Sequence, residues 1–281
     1  MASIVVTGAS TGIGRACVEE AARAGFHVFA SVRKQADADG LSQAFGDKVT
    51  PLIFDVTDPA AVRAGADKVR EALKGEPLAG LVNNAGVAVA GPLLHLPLEE
   101  FRQQIEINLI GVVAVTQAFA PLLTAKAGQG AAGRIVNISS VGGKNANPFM
   151  APYCASKFAV EGLSESLRRE LMGLGIDVIV VAPGAVATPI WSKAEEVDVT
   201  PYKDTPFAPA LDRLRAYMLA NGPKGLKPQA IGQAVMKALT APKPRTRYPV
   251  TPDPVQNLMT TILPKRMVDR VIGKQLGLID G

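Results

Sequence analysis

The segment YCASKFAVEG, beginning at Tyr153, sets a phenol and an ammonium four residues apart, on Tyr153 and Lys157. On a helix, residues i and i+4 lie one turn apart on the same face. A free tyrosine titrates near about 10. A cation close by stabilises the phenolate and lowers that value. The pair offers the elements of a tuned acid/base. The plain alternative is a surface helix with a partly buried tyrosine and a solvated lysine. What the rest of the chain supplies decides between them.

A second group with chemical potential is TGASTGIG, Thr7–Gly14, set between the apolar run SIVVT and the helical pattern GRACVEEAARAG. Gly8, Gly12 and Gly14 permit a tight turn, backbone approach to a pyrophosphate and close helix–strand contact. The helix N-terminus behind them offers free N–H groups and the positive end of its dipole. The second strand ends in FASVRK, where Ser31 stands at the place of an NAD-selecting acid and Arg33 and Lys34 follow. The sequence therefore predicts NADP(H) rather than NAD(H), with Arg33 pairing the 2′-phosphate, helped by Thr11 and Lys34. The alternative leaves Arg33 as a solvated loop residue.

The elements that must hold these residues alternate. SIVVT, HVFASV, VTPLIFDV, LAGLVNNAG, GRIVNISS and IDVIVVAPG read as six strands, and TRYPVT as a candidate seventh. Between them GRACVEEAARAG, DPAAVRAGADKVREALKG, the long run from PLEEF to LLTAKA, and the tyrosine segment read as helices. This alternation predicts an α/β Rossmann fold, one doubly wound parallel sheet of about seven strands with helices on both faces. A single domain over 1–281 is expected. The segment 188–228 breaks the pattern and reads as a substrate-binding lid.

Composition excludes several functions. Of 281 residues, 48% are hydrophobic and 20% charged, which is ordinary for a soluble globular chain. Cys17 and Cys154 make no disulfide framework and match no zinc spacing, and His27 and His95 stand alone, so no metal site is expected. The start MASIVVTGAS lacks a basic leader, and no run of about 18 apolar residues is evident, so a cytoplasmic location is expected. Aromatics are sparse at 5% and not interleaved with arginine, which argues against nucleic-acid binding. The net charge of +5 is uneven, since residues 222–281 carry 10 basic and 3 acidic side chains.

Taken together these motifs resemble the short-chain dehydrogenases/reductases. The likeness rests on Thr7–Gly14, DVTD from Asp55, NNAG at Asn83–Gly86, Asn108 in the long helix, Ser139–Ser140, Tyr153/Lys157, and PGAVAT at Pro183–Thr188. The tyrosine helix and the strand after it look most like the hydroxysteroid and retinol dehydrogenase-like branch. The resemblance implies an oxidoreductase with Asn108, Ser140, Tyr153 and Lys157 as its catalytic set. Ser140 rather than Ser139 is chosen because the family's serine commonly lies thirteen residues before its tyrosine.

By the same resemblance Gly8, Ser10, Thr11, Gly12, Ile13 and Gly14 surround the pyrophosphate, and Asp55 with the Val56 backbone takes the adenine. Asn83, Ala85 and Gly86 line the adenosine ribose and support the sheet. Tyr153 and Lys157 reach the nicotinamide ribose, and Pro183, Gly184, Val186 and Thr188 hold the carboxamide end. Asn108 would anchor a water that relays protons from the lysine. A homodimer or homotetramer through the long apolar helices is implied.

Pro189, Ile190, Trp191, Phe207, Leu211, Leu214, Tyr217 and Met218 are candidate walls for a lipophilic ketone or aldehyde of steroid, retinoid, fatty or aromatic type. The extension 252–281 reads as amphipathic helices broken near Pro264. Packing on the pocket or on a neighbouring subunit is favoured over contact with a membrane surface, which is the alternative. Rival readings are a non-catalytic NADP(H)-binding redox sensor or scaffold, and a dehydratase or epimerase on the same fold. The presence of all four catalytic residues argues against the sensor.

Overall fold

The computed structural model describes residues 1–124, 132–188 and 200–280. Seven parallel strands form one sheet: β1 Ser3–Val6, β2 His27–Val32, β3 Val49–Ile53, β4 Gly80–Asn83, β5 Arg134–Ile138, β6 Asp177–Pro183 and β7 Arg247–Val250. Their order across the sheet is β3-β2-β1-β4-β5-β6-β7. The chain therefore reverses its winding between β1 and β4, and ligands of such sheets bind at the carboxyl ends of the strands there.

The central strands β1, β4 and β6 are buried on both faces, which is why they read as continuous apolar runs, whereas the edge strands β3 and β7 are partly exposed. Successive side chains still divide between two cores. Ile4 and Val6 join Cys17, Val18 and Ala21 of α1 (Gly12–Arg23) and Ile231, Val235 and Ala238 of α8 (Pro228–Thr240). Val5, Phe29 and Leu81 face the other way, onto Val62, Ala66 and Val69 of α3 (Pro59–Leu73) and Val115 and Phe119 of α5 (Gly111–Phe119). Asp58 caps α3 through Ala60 N–H and Ala61 N–H, both 3.0 Å away, with Pro59 at its first position.

Three elements lie beyond the sequence reading. The helix α2 (Gln35–Phe45) buries only Ala38 and Leu41 and contains Gly40, so its periodic signal is faint. The helix α8 has clear apolar spacing but follows the irregular lid, which masked it. The long helix is not uniform: α4 (Leu98–Ile105) passes into a π-helical turn, Glu106–Ile110, before α5 and a final 3₁₀ turn, Ala120–Leu123. By length and mean hydropathy, 1.6, the stretch Leu98–Leu123 would be apolar enough to cross a membrane, contrary to the expectation of no such run. It lies instead against the sheet, burying Val112, Val115, Phe119 and Leu123.

The tyrosine segment is α6 (Ala151–Glu170). The described part of the lid comprises a 3₁₀ turn, Thr200–Tyr202, and α7 (Ala208–Asn221). Phe149, Tyr202, Ala210 and Leu211 form a third, small core there, with Phe207 and Leu214 packed against it. Leu211, Phe207 and Leu214 thus serve mainly to seat the lid. Tyr217 is exposed and Met218 half-buried, while Pro189, Ile190 and Trp191 lie outside the described residues.

Candidate active site

The glycine turn fits a pyrophosphate for steric reasons. A Cβ at Gly8 (φ +65°) would stand 2.8 Å from Cα of Ala85, and one at Gly14 would stand 2.1 Å from the Gly8 carbonyl oxygen. The turn thus brings β1, β4 and the start of α1 closer than any side chain allows. No side chain caps α1 and no acid occupies its first turn, so its N–H groups face outward without an internal anion. Thr7 ties the turn to β4, its hydroxyl accepting from Asn84 N–H (3.0 Å) and Ala85 N–H (3.1 Å). The Asn84 amide returns two bonds, to the Thr7 and Gly8 carbonyls at 2.9 and 3.1 Å.

At the end of β2, Ser31 is buried, and its hydroxyl accepts a long bond from Gly8 N–H at 3.4 Å. Ser31 braces the turn and is buried, at the position an NAD-selecting acid would occupy. The first exposed side chain past the strand is Arg33, whose Nη1 lies 3.8 Å from Asp55 Oδ2. Lys34 follows at the start of α2. Asp55 also accepts from Thr57 N–H (3.0 Å) and Thr57 Oγ1 (2.8 Å), which fixes the loop after β3 beside Val56. Arg33 and Asp55, drawn from two different strand ends, therefore flank one corner of the crevice. Asn83 is turned into the interior, its amide donating to Thr116 Oγ1 (3.0 Å) and Asn137 Oδ1 (2.8 Å). It acts through the sheet, and its neighbours Ala85 and Gly86 form the surface.

At the other end, Pro183 and Gly184 close β6, with Gly184 N–H donating to Val250 O at 2.8 Å. Val186 is bridged to Leu226, and a Cβ at Gly12 would meet Thr188 Cγ2 at 3.3 Å. The segment assigned to the carboxamide thus folds back over the phosphate turn.

The catalytic candidates meet between these two ends. Tyr153 is half-buried on the first turns of α6, and its phenol is hydrogen-bonded to Ser140. The Ser140 hydroxyl also accepts from Gly142 N–H (3.0 Å), and it reaches the Pro183 carbonyl only at 3.4 Å. Ser139 is buried, and its hydroxyl has no partner among the described residues. Of the two serines, only Ser140 reaches the phenol. Lys157 is buried, its Nζ donating to the Ile138 carbonyl at 2.9 Å and standing 5.8 Å from the centre of the Tyr153 ring.

The expected lowering of the tyrosine does not occur in this state. Burial pushes the Tyr153 phenol above its ordinary value, with the Ser140 hydrogen bond opposing and Cys154 adding a small upward push. Burial likewise pushes Lys157 down to about 8, opposed by the Glu161 carboxylate. The ammonium is held on a carbonyl rather than on the phenol, and desolvation is the leading cause of both shifts. The site therefore presents a protonated phenol near neutral pH.

Asn108 lies in the π-helical turn, a distortion often found at functional positions. Its amide is fully engaged, with Oδ1 accepting from Val87 N–H (2.9 Å) and Nδ2 donating to Val87 O (3.0 Å) and Ser156 Oγ (3.1 Å). It thereby binds the loop after β4 to α6, one residue from Lys157. Gln104, one turn earlier and fully buried, repeats the pattern on Val89 N–H (2.7 Å) and Val87 O (2.9 Å). Sequence reasoning missed Gln104, although its i−4 spacing from Asn108 was a usable signal.

A second omission is larger. Glu161, buried one turn beyond Lys157, receives Arg247 Nε on both carboxylate oxygens at 3.1 and 3.0 Å. Arg247 Nη2 also lies 3.4 Å from the Ser140 carbonyl. A strand-borne arginine therefore touches both the serine and the acid behind the lysine. His27 bonds Thr50 Oγ1 at 2.9 Å and His95 stacks edge-on with Phe207, and both read as structural. No cluster of metal-ligating side chains occurs among the described residues.

The family model described as short chain dehydrogenase matches residues 2–198. The chain is similar to the NADPH-dependent 3-dehydrocapnine reductase of Ornithobacterium rhinotracheale, 38% identical over 273 residues and covering 97% of this chain and 96% of that protein. It is also similar to human retinol dehydrogenase 5, 33% identical over 287 residues, covering 96% and 87%. Among solved structures, a short-chain dehydrogenase from Streptomyces avermitilis superposes with a TM-score of 0.78 at 28% identity, covering 100% of this chain and 98% of that one. A short chain dehydrogenase/reductase from Burkholderia phymatum, solved in complex with NAD, gives 0.77 at 25% identity, covering 96% and 94%.

Proposed function

The chain belongs to the short-chain dehydrogenase family of oxidoreductases, and from that premise we propose that it is an NADP(H)-dependent reductase of a lipophilic ketone or aldehyde. The observation that carries this reading is the meeting of Tyr153, Ser140 and Lys157 where the glycine turn and the end of β6 converge. The crevice residues named above would hold the cofactor, with Gly8, Gly12 and Gly14 at the pyrophosphate and Arg33 at the 2′-phosphate. When bound, NADPH supplies the hydride to the substrate carbon.

The protein's own work is to manage one proton and one developing charge. Ser140 donates a hydrogen bond to the substrate oxygen as negative charge grows there. Tyr153, protonated near neutral pH, gives that oxygen its proton. Lys157 gains a place for its charge as the phenolate forms, since the ammonium then faces an anion rather than a neutral ring. Asn108 and Gln104 hold the loop after β4, and Glu161 with Arg247 fixes the far side of the lysine and serine.

The reading of the cofactor draws on Arg33 and Lys34 at the end of β2 and on the NADPH dependence in the name of the reductase relative. Asp55, 3.8 Å from Arg33, accompanies that arginine and does not replace it as the selector. NADPH and NADH consumption against a panel of lipophilic ketones and aldehydes tests the proposal. Turnover that prefers NADPH, with Arg33→Ala raising the KM for NADPH and leaving that for NADH unchanged, is expected. Equal use of both cofactors, or an Arg33→Ala variant indifferent to NADPH, would refute it. A homodimer or homotetramer in the cytoplasm is the accompanying expectation, checked by molar mass in light scattering and by fractionation.

A further inference from the structure

The C-terminal extension forms α9 (Pro254–Ile262) and α10 (Lys265–Leu276), separated at Pro264. Helix α9 buries none of its residues. Its apolar side chains Val255, Leu258, Met259 and Ile262 fall at i, i+3, i+4 and i+7, and they are 70%, 56%, 47% and 69% exposed. They therefore make one continuous stripe pointing away from the protein. The half-buried positions are polar, Asn257 and Thr260. The helix is thus mounted with its polar side inward, the reverse of an ordinary surface helix.

Several polar groups of α9 bond within the helix. Asp253 caps it through Gln256 N–H at 2.8 Å, and the Thr260 and Thr261 hydroxyls donate to the Asn257 carbonyl at 3.0 and 2.8 Å. Helix α10 is moored by its opposite face. Val268 and Gly273 are buried, Leu276 packs against the small lid core, and Arg213 Nη1 donates to the Leu276 carbonyl at 3.0 Å. Its outer face continues the stripe with exposed Met267 and Val271. Around them stand Lys265, Arg266, Arg270 and Lys274, all exposed, with Asp269 as the one acid on this helix.

We propose that the outer face of α9 and α10 docks on an anionic phospholipid surface. The apolar stripe would enter the headgroup–acyl boundary while the flanking cations meet lipid phosphates. At nine residues, α9 is about 14 Å long, which suits lying in the interface and not crossing it. Charge decides against a second copy as occupant. A two-fold contact through this face would gather the four cations of α10 from each copy into one interface, with Asp269 as the one acid on each α10 to offset them. On α10 the four exposed cations outnumber Asp269, and the other acids of the extension, Asp253 and Asp280, stand outside both helices. Because Thr251 packs on Gly184, the docking face is joined to the strand ends that border the active site. The docking itself does not depend on the catalytic reading.

Vesicle flotation of the full chain tests it, with vesicles of phosphatidylcholine alone or mixed equally with phosphatidylglycerol. The wild type should float with the anionic vesicles and stay below with the neutral ones. Leu258→Asp/Ile262→Asp should abolish flotation. Arg266→Gln/Arg270→Gln/Lys274→Gln should weaken binding about a hundredfold, at about fivefold per cation. Circular dichroism and sedimentation of each variant accompany the assay, since these exposed substitutions should leave fold and mass unchanged. Failure of the wild type to float, flotation unaffected by either set, equal flotation with neutral lipid, or a halved mass in the Asp variant would each overturn the proposal, the last in favour of a second copy.

Discussion

Substituting Arg247 by Met would leave the Glu161 carboxylate buried without its partner. The wild-type pair is close and enclosed: both oxygens lie within 3.1 Å of Nε, and the side chains are 24% and 7% exposed for Arg247 and Glu161. Screening by water is weak in such a setting, so the estimates for exposed pairs do not apply. Removing one partner of a buried pair costs about 3–5 kcal/mol, chiefly because the remaining charge is stranded. Replacing both by apolar groups of similar length removes the stranded charge along with the attraction. Arg247→Met should therefore lose about 3–5 kcal/mol in urea unfolding, and Glu161→Met/Arg247→Met should recover most of that loss. Met keeps the Glu161 Cγ position, which lies 3.1 Å from where a Gly143 Cβ would stand, so little local rearrangement is needed. An Arg247→Met loss under about 1 kcal/mol, or a double variant no more stable than the single, would refute the reasoning.

Two further outcomes follow from the site. An unfolded lysine keeps its proton to about 10.4, whereas Lys157 releases it near about 8 in the fold. Between those values the unfolded chain binds more protons, so Lys157 makes stability rise with pH, by roughly 1 kcal/mol from pH 8 to pH 9. Cys17, pushed up to about 12 by burial, works the opposite way above pH 9, where the unfolded thiol loses a proton that the folded one keeps. The wild-type-minus-Lys157→Met difference in unfolding free energy isolates the lysine, and a flat difference across pH 8 to 9 would contradict its depressed value. Gly14→Ala forces the turn apart, because its Cβ would stand 2.1 Å from the Gly8 oxygen. Thermal stabilisation by NADPH should vanish in that variant, and a wild-type shift would mean the turn is not the phosphate site.

The fold was legible because strong local patterns agreed with it. Six β-branched runs separated by helical periods leave little room for anything but a parallel sheet, and RYPV at β7 completes it. The helix α2 escaped because two buried apolar residues in eleven make a weak period. The π-helical turn at Asn108 has no local signature, since it arises from the fit of the helix against its neighbours. Tyr153 and Lys157 could be paired by spacing alone. Their titration could not, because sequence shows which charges are near in the chain but not how much water has been excluded. Arg247 and Glu161 are 86 residues apart and meet only through the adjacency of β7 and β6 and the seating of α6. One local clue existed: Tyr153, Lys157 and Glu161 lie at successive i+4 steps, an acid on the buried stripe of the catalytic helix. Likewise the amphipathic tail was visible in sequence, but which side it turned outward required coordinates.

The account centres on Tyr153 as the proton donor. Tyr153→Phe keeps the ring and removes only the hydroxyl that Ser140 engages. Single-turnover reduction of a lipophilic ketone by NADPH, with cofactor affinity measured on the same preparations, compares it with the wild type. The predicted result is unchanged NADPH affinity with the reduction rate lowered by at least about 10²-fold, the low end of what a positioned acid contributes. A variant that binds NADPH and reduces the ketone within a few-fold of the wild-type rate would contradict the account.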